Sequence, residues 1–348
     1  MKTRNYILNI LVIALLTIGA LWFALKDNYQ TILDAIGKMN PLSLVLVLFW
    51  GAMYTAIWGL AYYVLGKKYV TDYTIRKGVI VAFVGAFFAG ITPSSTGGQF
   101  GQAYILNKQG IRMSDSVSLL WADFIIYQTT MMIYVTILFL LRYGYYGAQS
   151  GWFHIILLGY LINAVVILAL YTVALFPKVY IRLSNWLARF LGRFKFIKNP
   201  EKLVDSWNLQ VTQFTGEVKE LSKDKKRIFY CVCINVLRLT LLYSLPYAIA
   251  LALHIPLKPA QLLDVITLSS FVLMANSFIP IPGASGGTEI VFALLFQPMM
   301  GALTGAVLVL WRFSSYHIVV IIGAILFTMA RNSYEKAKIQ GVFKEGTR

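Results

Sequence analysis

The chain has 348 residues, of which 58% are hydrophobic and 13% are charged, about half the charged proportion usual in soluble domains. The 31 Lys and Arg residues against 14 Asp and Glu give a formal net charge of +17. Such a charge can attract nucleic acid, but the apolar content excludes a solvated basic protein and places the bases beside a membrane. Cys231 and Cys233 are too few for a disulfide framework and the histidines lie far apart, so neither a metal nor a cofactor is expected.

Runs of about 20 apolar residues match the roughly 30 Å hydrocarbon core of a bilayer, and about six such runs occur here. They are Tyr6–Leu25, Leu42–Leu65, Val117–Leu141, Phe153–Phe176, Ile228–Leu253 and Leu303–Ala330. The first run resembles a signal peptide, but it lacks a small-x-small cleavage site and is predicted to remain as the first helix. The sequence therefore predicts an all-α polytopic membrane protein.

The distribution of Lys and Arg orients these runs. Most of these residues lie before the first run, after the second, between 177 and 227, and in the tail. The positive-inside rule then places both termini in the cytoplasm, and we expect a multi-pass protein of the bacterial plasma membrane. Because Lys77 and Lys108 both lie inside, the apolar segment 78–106 between them is predicted to form a re-entrant helical hairpin. The segment 260–300 is predicted to form a second hairpin that enters from the opposite face.

Both hairpins contain the same break, which is a proline, three small or hydroxyl residues and two glycines. The first break is Pro93–Gly98 and the second is Pro282–Gly287. The order span, hairpin, span therefore occurs twice with opposite orientation, as an inverted repeat, which is typical of secondary transporters with a site near the membrane midplane. The alternative is that Pro and Gly only kink ordinary helices.

The whole chain is predicted to be a single membrane domain. Its predicted parts are a first helix and outer loop (1–41), repeat 1 (42–141), a connecting span with a basic amphipathic segment (142–227), repeat 2 (228–330) and a cytoplasmic tail (331–348).

A short helix is predicted to begin after each break, with its N-terminus inside the membrane. Free N–H groups and the positive end of the helix dipole make such an end a site for anions. The alternative for each hydroxyl is a capping role. The expected substrate-binding residues at the two breaks are Ser94, Ser95, Thr96, Gly97, Gly98, Ser285, Gly286 and Gly287.

Four ionisable residues, Asp123, Arg238, Glu289 and Arg312, lie within apolar spans or hairpins. A charge at mid-helix costs roughly 2.5–3.5 kcal/mol on insertion scales, so each should face the protein interior and have a partner. We expect the arginines to hold an anionic headgroup, since a guanidinium suits phosphate, while the acids balance them or receive a cationic group. The alternative is that the four residues form static pairs that only hold helices together.

The segment from Pro177 to Arg227 combines many bases with aromatic residues. This composition favours an amphipathic helix on the surface of an anionic membrane over an RNA-binding segment, so no nucleic-acid partner is expected.

The ordered set of motifs resembles the flippase-like transmembrane domain of lysylphosphatidylglycerol synthases, which many stand-alone membrane proteins share. The matching features are Ile91–Gly98, Pro282–Gly287, Glu289, and Arg312 followed by Tyr316 and Gly323. The resemblance implies movement of a lipid such as lysyl-phosphatidylglycerol between leaflets, with resistance to cationic antimicrobial peptides as a consequence. Only a short tail follows Ala330, so we expect no soluble aminoacyl-transferase domain and no catalytic residues in this chain.

The leading hypothesis is therefore a lipid flippase or scramblase whose partners are anionic or aminoacylated phospholipids. One alternative is a membrane component of phosphatidylglycerol lysyltransferase or glycolipid synthesis that acts with a separate catalytic partner. Another is a non-catalytic scaffold for an envelope enzyme, for which neutralising Arg312 should leave function intact. The headgroup and the oligomeric state stay open at this point.

Overall fold

The computed structural model describes residues 29–92, 95–147, 153–191, 200–221, 223–275 and 286–339. Within these ranges every regular element is helical. The α-helices are α1 (Tyr29–Gly37), α2 (Pro41–Gly66), α3 (Ile75–Gly90), α4 (Gly97–Lys108), α5 (Met113–Gly147), α6 (Phe153–Leu175), α7 (Pro177–Leu191), α8 (Pro200–Leu221), α9 (Lys225–Ala252), α10 (Gln261–Ala275), α11 (Gly287–Met300), α12 (Thr304–Arg312) and α13 (Ile318–Ile339). The predicted first helix, Tyr6–Leu25, lies outside the described residues.

Four segments of the described chain are long and apolar enough to cross a membrane. They are Pro41–Gly66, Met113–Arg142, Lys225–Ala252 and Gly287–Tyr334. The predicted run Phe153–Phe176 coincides with α6, which meets the same criterion only together with α7, and the two helices are bent by 98°. The protein is therefore an all-helical, polytopic membrane protein.

Polar residues define where several helices begin. Asn40 accepts a hydrogen bond from the Leu42 N–H at 2.8 Å, and Pro41 occupies the first turn of α2, where a missing N–H has no cost. Asp224 caps α9 in the same way by accepting from the Arg227 N–H at 3.0 Å. These caps fix the helix starts at positions that hydropathy alone leaves uncertain by a few residues.

The helices α3 and α4 form a pair separated by a short break. The α3 helix ends at Gly90 and α4 begins at Gly97, so the helix break falls within the predicted hairpin 78–106. Small residues let α3 pack tightly on α2. A Cβ added at Gly59 on α2 would lie 2.5 Å from Cα of Val79 on α3, so the two backbones are in direct contact, as glycine allows in membrane helices.

A second close contact joins α2 to the π turn Phe313–His317, which lies between α12 and α13. The Ser314 hydroxyl donates to the Val47 carbonyl at 2.6 Å and accepts from the Gly51 N–H at 3.1 Å. The Val47 carbonyl and the Gly51 N–H would otherwise form a hydrogen bond with each other within α2, and the Ser314 hydroxyl is inserted between them. Insertion of a side chain between such backbone groups is a recognised cause of helix distortion. Single π turns of this kind are frequent at functional sites.

The basic segment predicted to lie on the membrane surface contains α7 and α8. The two helices pack on each other, and the Ser184 hydroxyl donates to the Asn208 side chain at 2.6 Å. The ring of Phe214 on α8 packs edge-on against Trp121 of α5, with 5.1 Å between ring centroids. The segment is thus joined to the helical bundle by an aromatic contact.

Candidate functional site

The first break is organised by a residue that was not among the predicted site residues. The Thr92 hydroxyl donates to the Phe88 carbonyl at 2.6 Å and accepts from the Gly97 N–H at 2.8 Å. It therefore satisfies a carbonyl near the end of α3 and an N–H at the start of α4 with one side chain. Ser95 has a positive φ of 56°, and Thr96, at the N-cap position, makes no side-chain capping bond.

The glycines of the first break lie in close contact with neighbouring groups. A Cβ at Gly97 would lie 2.5 Å from the Thr92 methyl carbon, and one at Gly98 would lie 3.1 Å from the Ala89 Cβ. A side chain at Gly97 would displace Thr92, and one at Gly98 would crowd α3, so both glycines have a packing role. Ser94 lies outside the described residues, so its predicted role stays a prediction.

At the second break the described residues begin at Gly286, and Ser285 lies outside them. Gly286 has a positive φ of 92°, and a Cβ built there would meet nothing within 4 Å. Its N–H donates to Oε2 of Glu289 at 2.6 Å, so Glu289 caps the helix that begins at Gly287. A carboxylate in the first turn is also favoured by the helix dipole.

Glu289 and Arg312 form a buried ion pair. The Arg312 Nε lies 2.7 Å from Glu289 Oε1, and the two side chains are 6% and 1% exposed. The Arg312 guanidinium lies over the ring of Tyr316, 4.8 Å from its centroid. The Tyr316 hydroxyl donates to the Gly90 carbonyl at 2.9 Å, at the end of α3. A chain of contacts therefore runs from the start of α11 to the C-terminal end of α3.

A second cluster is formed by Asp123 on α5 and Arg238 on α9. Asp123 Oδ2 accepts hydrogen bonds from the Trp58 indole N–H and the Tyr62 hydroxyl, both at 3.0 Å. The other oxygen, Oδ1, is buried and has no hydrogen-bond partner among the described residues. Trp58 and Tyr62 are one helical turn apart on α2, so both present their polar groups to the same point.

Arg238 is 3% exposed and surrounded by aromatic rings. Its guanidinium carbon lies 4.4 Å from the ring centroid of Tyr127, 4.8 Å from that of Trp58 and 5.6 Å from that of Tyr54. The rings stabilise the cation electrostatically. In the described part of the chain, however, Nε and Nη1 of Arg238 have no hydrogen-bond partner, and Arg238 forms no direct ion pair with Asp123.

The four ionisable residues singled out in the sequence are all buried, in two separate clusters. The sequence did not reveal which acid meets which base, because that depends on how the helices pack. The residues that sequence reasoning missed are the polar aromatics around Arg238 and Asp123, together with Thr92. The repeat of Trp58 and Tyr62 at a helical spacing of four was a signal that could have found two of them.

Among the described residues no group of three or more His, Cys, Asp or Glu side chains could hold a metal ion. Cys231 is buried and Cys233 is exposed, and both are free thiols.

The fold and the two clusters define a polytopic helical membrane protein in which ionisable side chains are buried between apolar helices. The family model described as the lysylphosphatidylglycerol synthase TM region matches residues 6–323, and the chain belongs to this family. It is also similar to a UPF0104 membrane protein of Archaeoglobus fulgidus, with 24% identity over 297 residues that cover 84% of this chain and 88% of the relative. The family resemblance predicted from the motifs is confirmed.

Proposed function

We propose that this protein is a lipid flippase or scramblase that moves an anionic or aminoacylated phospholipid, such as lysyl-phosphatidylglycerol, between membrane leaflets. The observation that carries the proposal is the cluster of Asp123 and Arg238. A buried guanidinium with two unpaired donor atoms lies near a buried carboxylate with an unpaired oxygen, within apolar helices. Polar groups buried without partners cost free energy, which a matching ligand would recover.

The chemistry of the two groups matches a phospholipid headgroup. A guanidinium presents several N–H donors in a fixed plane and binds phosphate oxygens in a bidentate manner. The free oxygen of Asp123 can accept from a hydroxyl or from the ammonium group of an aminoacylated lipid. The headgroup would exchange its hydration for these contacts, while its acyl chains remain in the lipid.

A second feature that supports the proposal is the short length of the helices on either side of each break. The helices α3 and α4 have 16 and 12 residues. At 1.5 Å per residue they are about 24 and 18 Å long, which is less than the thickness of the hydrocarbon core of a bilayer. The helices α10 and α11, of 15 and 14 residues, are similarly short. Helices of this length are suited to re-entrant hairpins, and the proposal includes two such hairpins of opposite orientation. From the charge distribution and the repeated break it also includes six spans and an inverted repeat.

The proposed setting is the plasma membrane of a bacterium, with both termini in the cytoplasm. Transfer of a lysyl-lipid to the outer leaflet would make that surface less negative. Binding of cationic antimicrobial peptides would fall as a result, because such binding depends on the negative surface potential.

The proposal predicts exchange of lipid between leaflets by the purified protein. Liposomes that contain it, and matched empty liposomes, would receive fluorescent phosphatidylglycerol or lysyl-phosphatidylglycerol, and chemical quenching would report the outer-leaflet fraction over time. We expect quenching of nearly all the fluorophore with protein and of about half without it. No protein-dependent exchange of either lipid would contradict the proposal.

A second candidate is favoured by the family description, which names a synthase. In this alternative the chain is a membrane component of phosphatidylglycerol lysyltransferase or glycolipid synthesis and acts with a separate catalytic partner. Formation of lysyl-phosphatidylglycerol from aminoacyl-tRNA and phosphatidylglycerol by this protein, without leaflet exchange, would favour it.

A further inference from the structure

The helices α5, α8 and α9 border two neighbouring cavities of contrasting chemistry. The first, called the polar cavity here for its five charged side chains, has a volume of about 250 Å³. It is lined by Lys68, just after α2, by charged residues from the end of α8 to the first turn of α9, and by apolar residues of α2 and α5. The second has a volume of about 460 Å³ and is almost entirely apolar. Cavities of either kind are common in membrane proteins, but here the two lie next to each other along the same helices.

The two cavities follow each other along the chain in each helix. On α5 the polar cavity is lined by Leu119 and Ala122, and the apolar groove begins one turn later at Ile125. On α9 the polar cavity ends at Arg227 and the groove begins at Ile228. The charged side chains of the polar cavity therefore come just before the apolar groove along these helices, which is the order that the headgroup and acyl chain of a lipid require.

The polar cavity has an excess of positive charge. Its lining includes three bases, Lys68, Lys223 and Arg227, and two acids, Glu220 and Asp224. The acids are engaged in ion pairs, Glu220 with Lys68 and Asp224 with Arg227. The hydrogen bond from Lys68 lowers the pKa of Glu220, so that carboxylate stays ionised. In the described part of the chain Lys223 forms no ion pair, although its charge also lowers the pKa of Glu220. Its ammonium can therefore still bind an anion.

The apolar groove lies along an exposed face of α5. Its residues Ile133 and Ile137 are 57% and 52% exposed, so the groove is open laterally to lipid. From Ile125 to Ile137 it extends about 18 Å along the helix axis, a length suited to an acyl chain. Across it the Thr129 and Tyr171 hydroxyls lie 3.0 Å apart, which joins α5 to α6.

We propose that these two cavities form one binding site for an anionic glycerophospholipid, with its phosphate at Lys223 and Arg227 and one acyl chain in the groove along α5. The site lies beside Ala122, next in sequence to the buried Asp123. If the proposed function holds, a lipid binds at this site before its headgroup enters the cluster of Asp123 and Arg238. The role in access rests on the proposed function, but the binding itself does not.

The binding test uses native mass spectrometry of the full chain in detergent, titrated with phosphatidylglycerol or phosphatidylcholine of identical acyl chains. We expect preferential retention of phosphatidylglycerol. Lys223→Gln should weaken that retention about fivefold, since one Lys beside an anionic lipid surface contributes on this order. Lys226→Gln is the matched control, because this neighbouring base does not line the cavity, and it should leave retention unchanged.

The groove is tested with a second pair of variants on α5. Ile133→Trp fills the groove, whereas Leu140→Trp places the same side chain at a position that is 67% exposed and outside the groove. Only Ile133→Trp should reduce retention of phosphatidylglycerol. Inorganic phosphate added as a competitor should have little effect, because it lacks the acyl chain.

Equal retention by the paired variants, at either the charged or the apolar position, would overturn the proposal. Full displacement by inorganic phosphate would also overturn it, because the site would then bind an anion and not a lipid.

Leaflet exchange, measured separately in liposomes, distinguishes failure of the binding site from failure of the proposed function. Selective binding without exchange would leave this site standing and overturn the flippase. Exchange that is unchanged in Lys223→Gln and Ile133→Trp would overturn the access role alone.

Discussion

Replacing Arg312 with alanine is expected to lower the free energy of unfolding by about 3–5 kcal/mol, the usual cost of removing one partner from a buried ion pair. The variant leaves the Glu289 carboxylate, which is 1% exposed, without its counter-charge. It also removes the cation from the ring of Tyr316, whose hydroxyl bonds to Gly90. The measurement is unfolding of the purified protein in mixed micelles of detergent and sodium dodecyl sulfate.

Two controls separate the ion pair from a general effect of losing a charge. The double variant Arg312→Met with Glu289→Gln should lose less stability than Arg312→Ala, because neither charge is then left alone and the glutamine can still accept from the Gly286 N–H. Lys68→Ala breaks the exposed pair with Glu220 and should cost no more than about 1 kcal/mol. An Arg312→Ala variant as stable as the Lys68→Ala variant would contradict this account of the pair.

Gly59→Ala is expected to destabilise the protein by about 1–3 kcal/mol or more, because it overpacks the contact between α2 and α3. The added Cβ would lie 2.5 Å from Cα and 2.7 Å from N of Val79, and backbone atoms cannot rotate aside as a flexible side chain can. The two helices would have to separate. Thermal unfolding followed by helical circular dichroism would measure the loss.

The matched control for this variant is Gly216→Ala on α8, where a Cβ would meet nothing within 4 Å. Alanine is the better helix former by about 1 kcal/mol, so this variant should be neutral or slightly more stable. A Gly59→Ala protein with the melting temperature of the Gly216→Ala protein would show that α2 and α3 are not in backbone contact.

Hydropathy located several helices well because each apolar run had to be about as long as a bilayer is thick. The predicted run Ile228–Leu253 corresponds to α9, Lys225–Ala252, and the run Leu42–Leu65 corresponds to α2, Pro41–Gly66. The break after Gly90 was also predicted, because Pro and Gly together end helices. The extra turn at the start of α9 depends on the cap by Asp224, a side-chain contact that hydropathy does not contain.

The contacts of the candidate site could not be predicted to the same degree. Burial of all four ionisable residues followed from the cost of leaving a charge in lipid. The choice of Glu289 as the partner of Arg312, and of aromatic rings for Arg238, depends on the relative rotation of helices that are distant in sequence. The role of Thr92 was not predicted because it precedes the proline, whereas the helix start in the sequence pattern lies among the hydroxyls that follow the proline.

The cluster of Arg238 and Asp123 is expected to bind the headgroup during transfer, and leaflet exchange by Arg238→Gln in liposomes tests this role. Arg76→Gln, at an exposed arginine near the start of α3, is the matched control, and both variants would first be checked for folding. A hydrogen bond to a charged group contributes about 1.5–3 kcal/mol. We therefore expect Arg238→Gln to slow exchange of phosphatidylglycerol at least about tenfold and Arg76→Gln to leave it unchanged. Equal exchange by the two folded variants would show that Arg238 does not bind the headgroup during transfer.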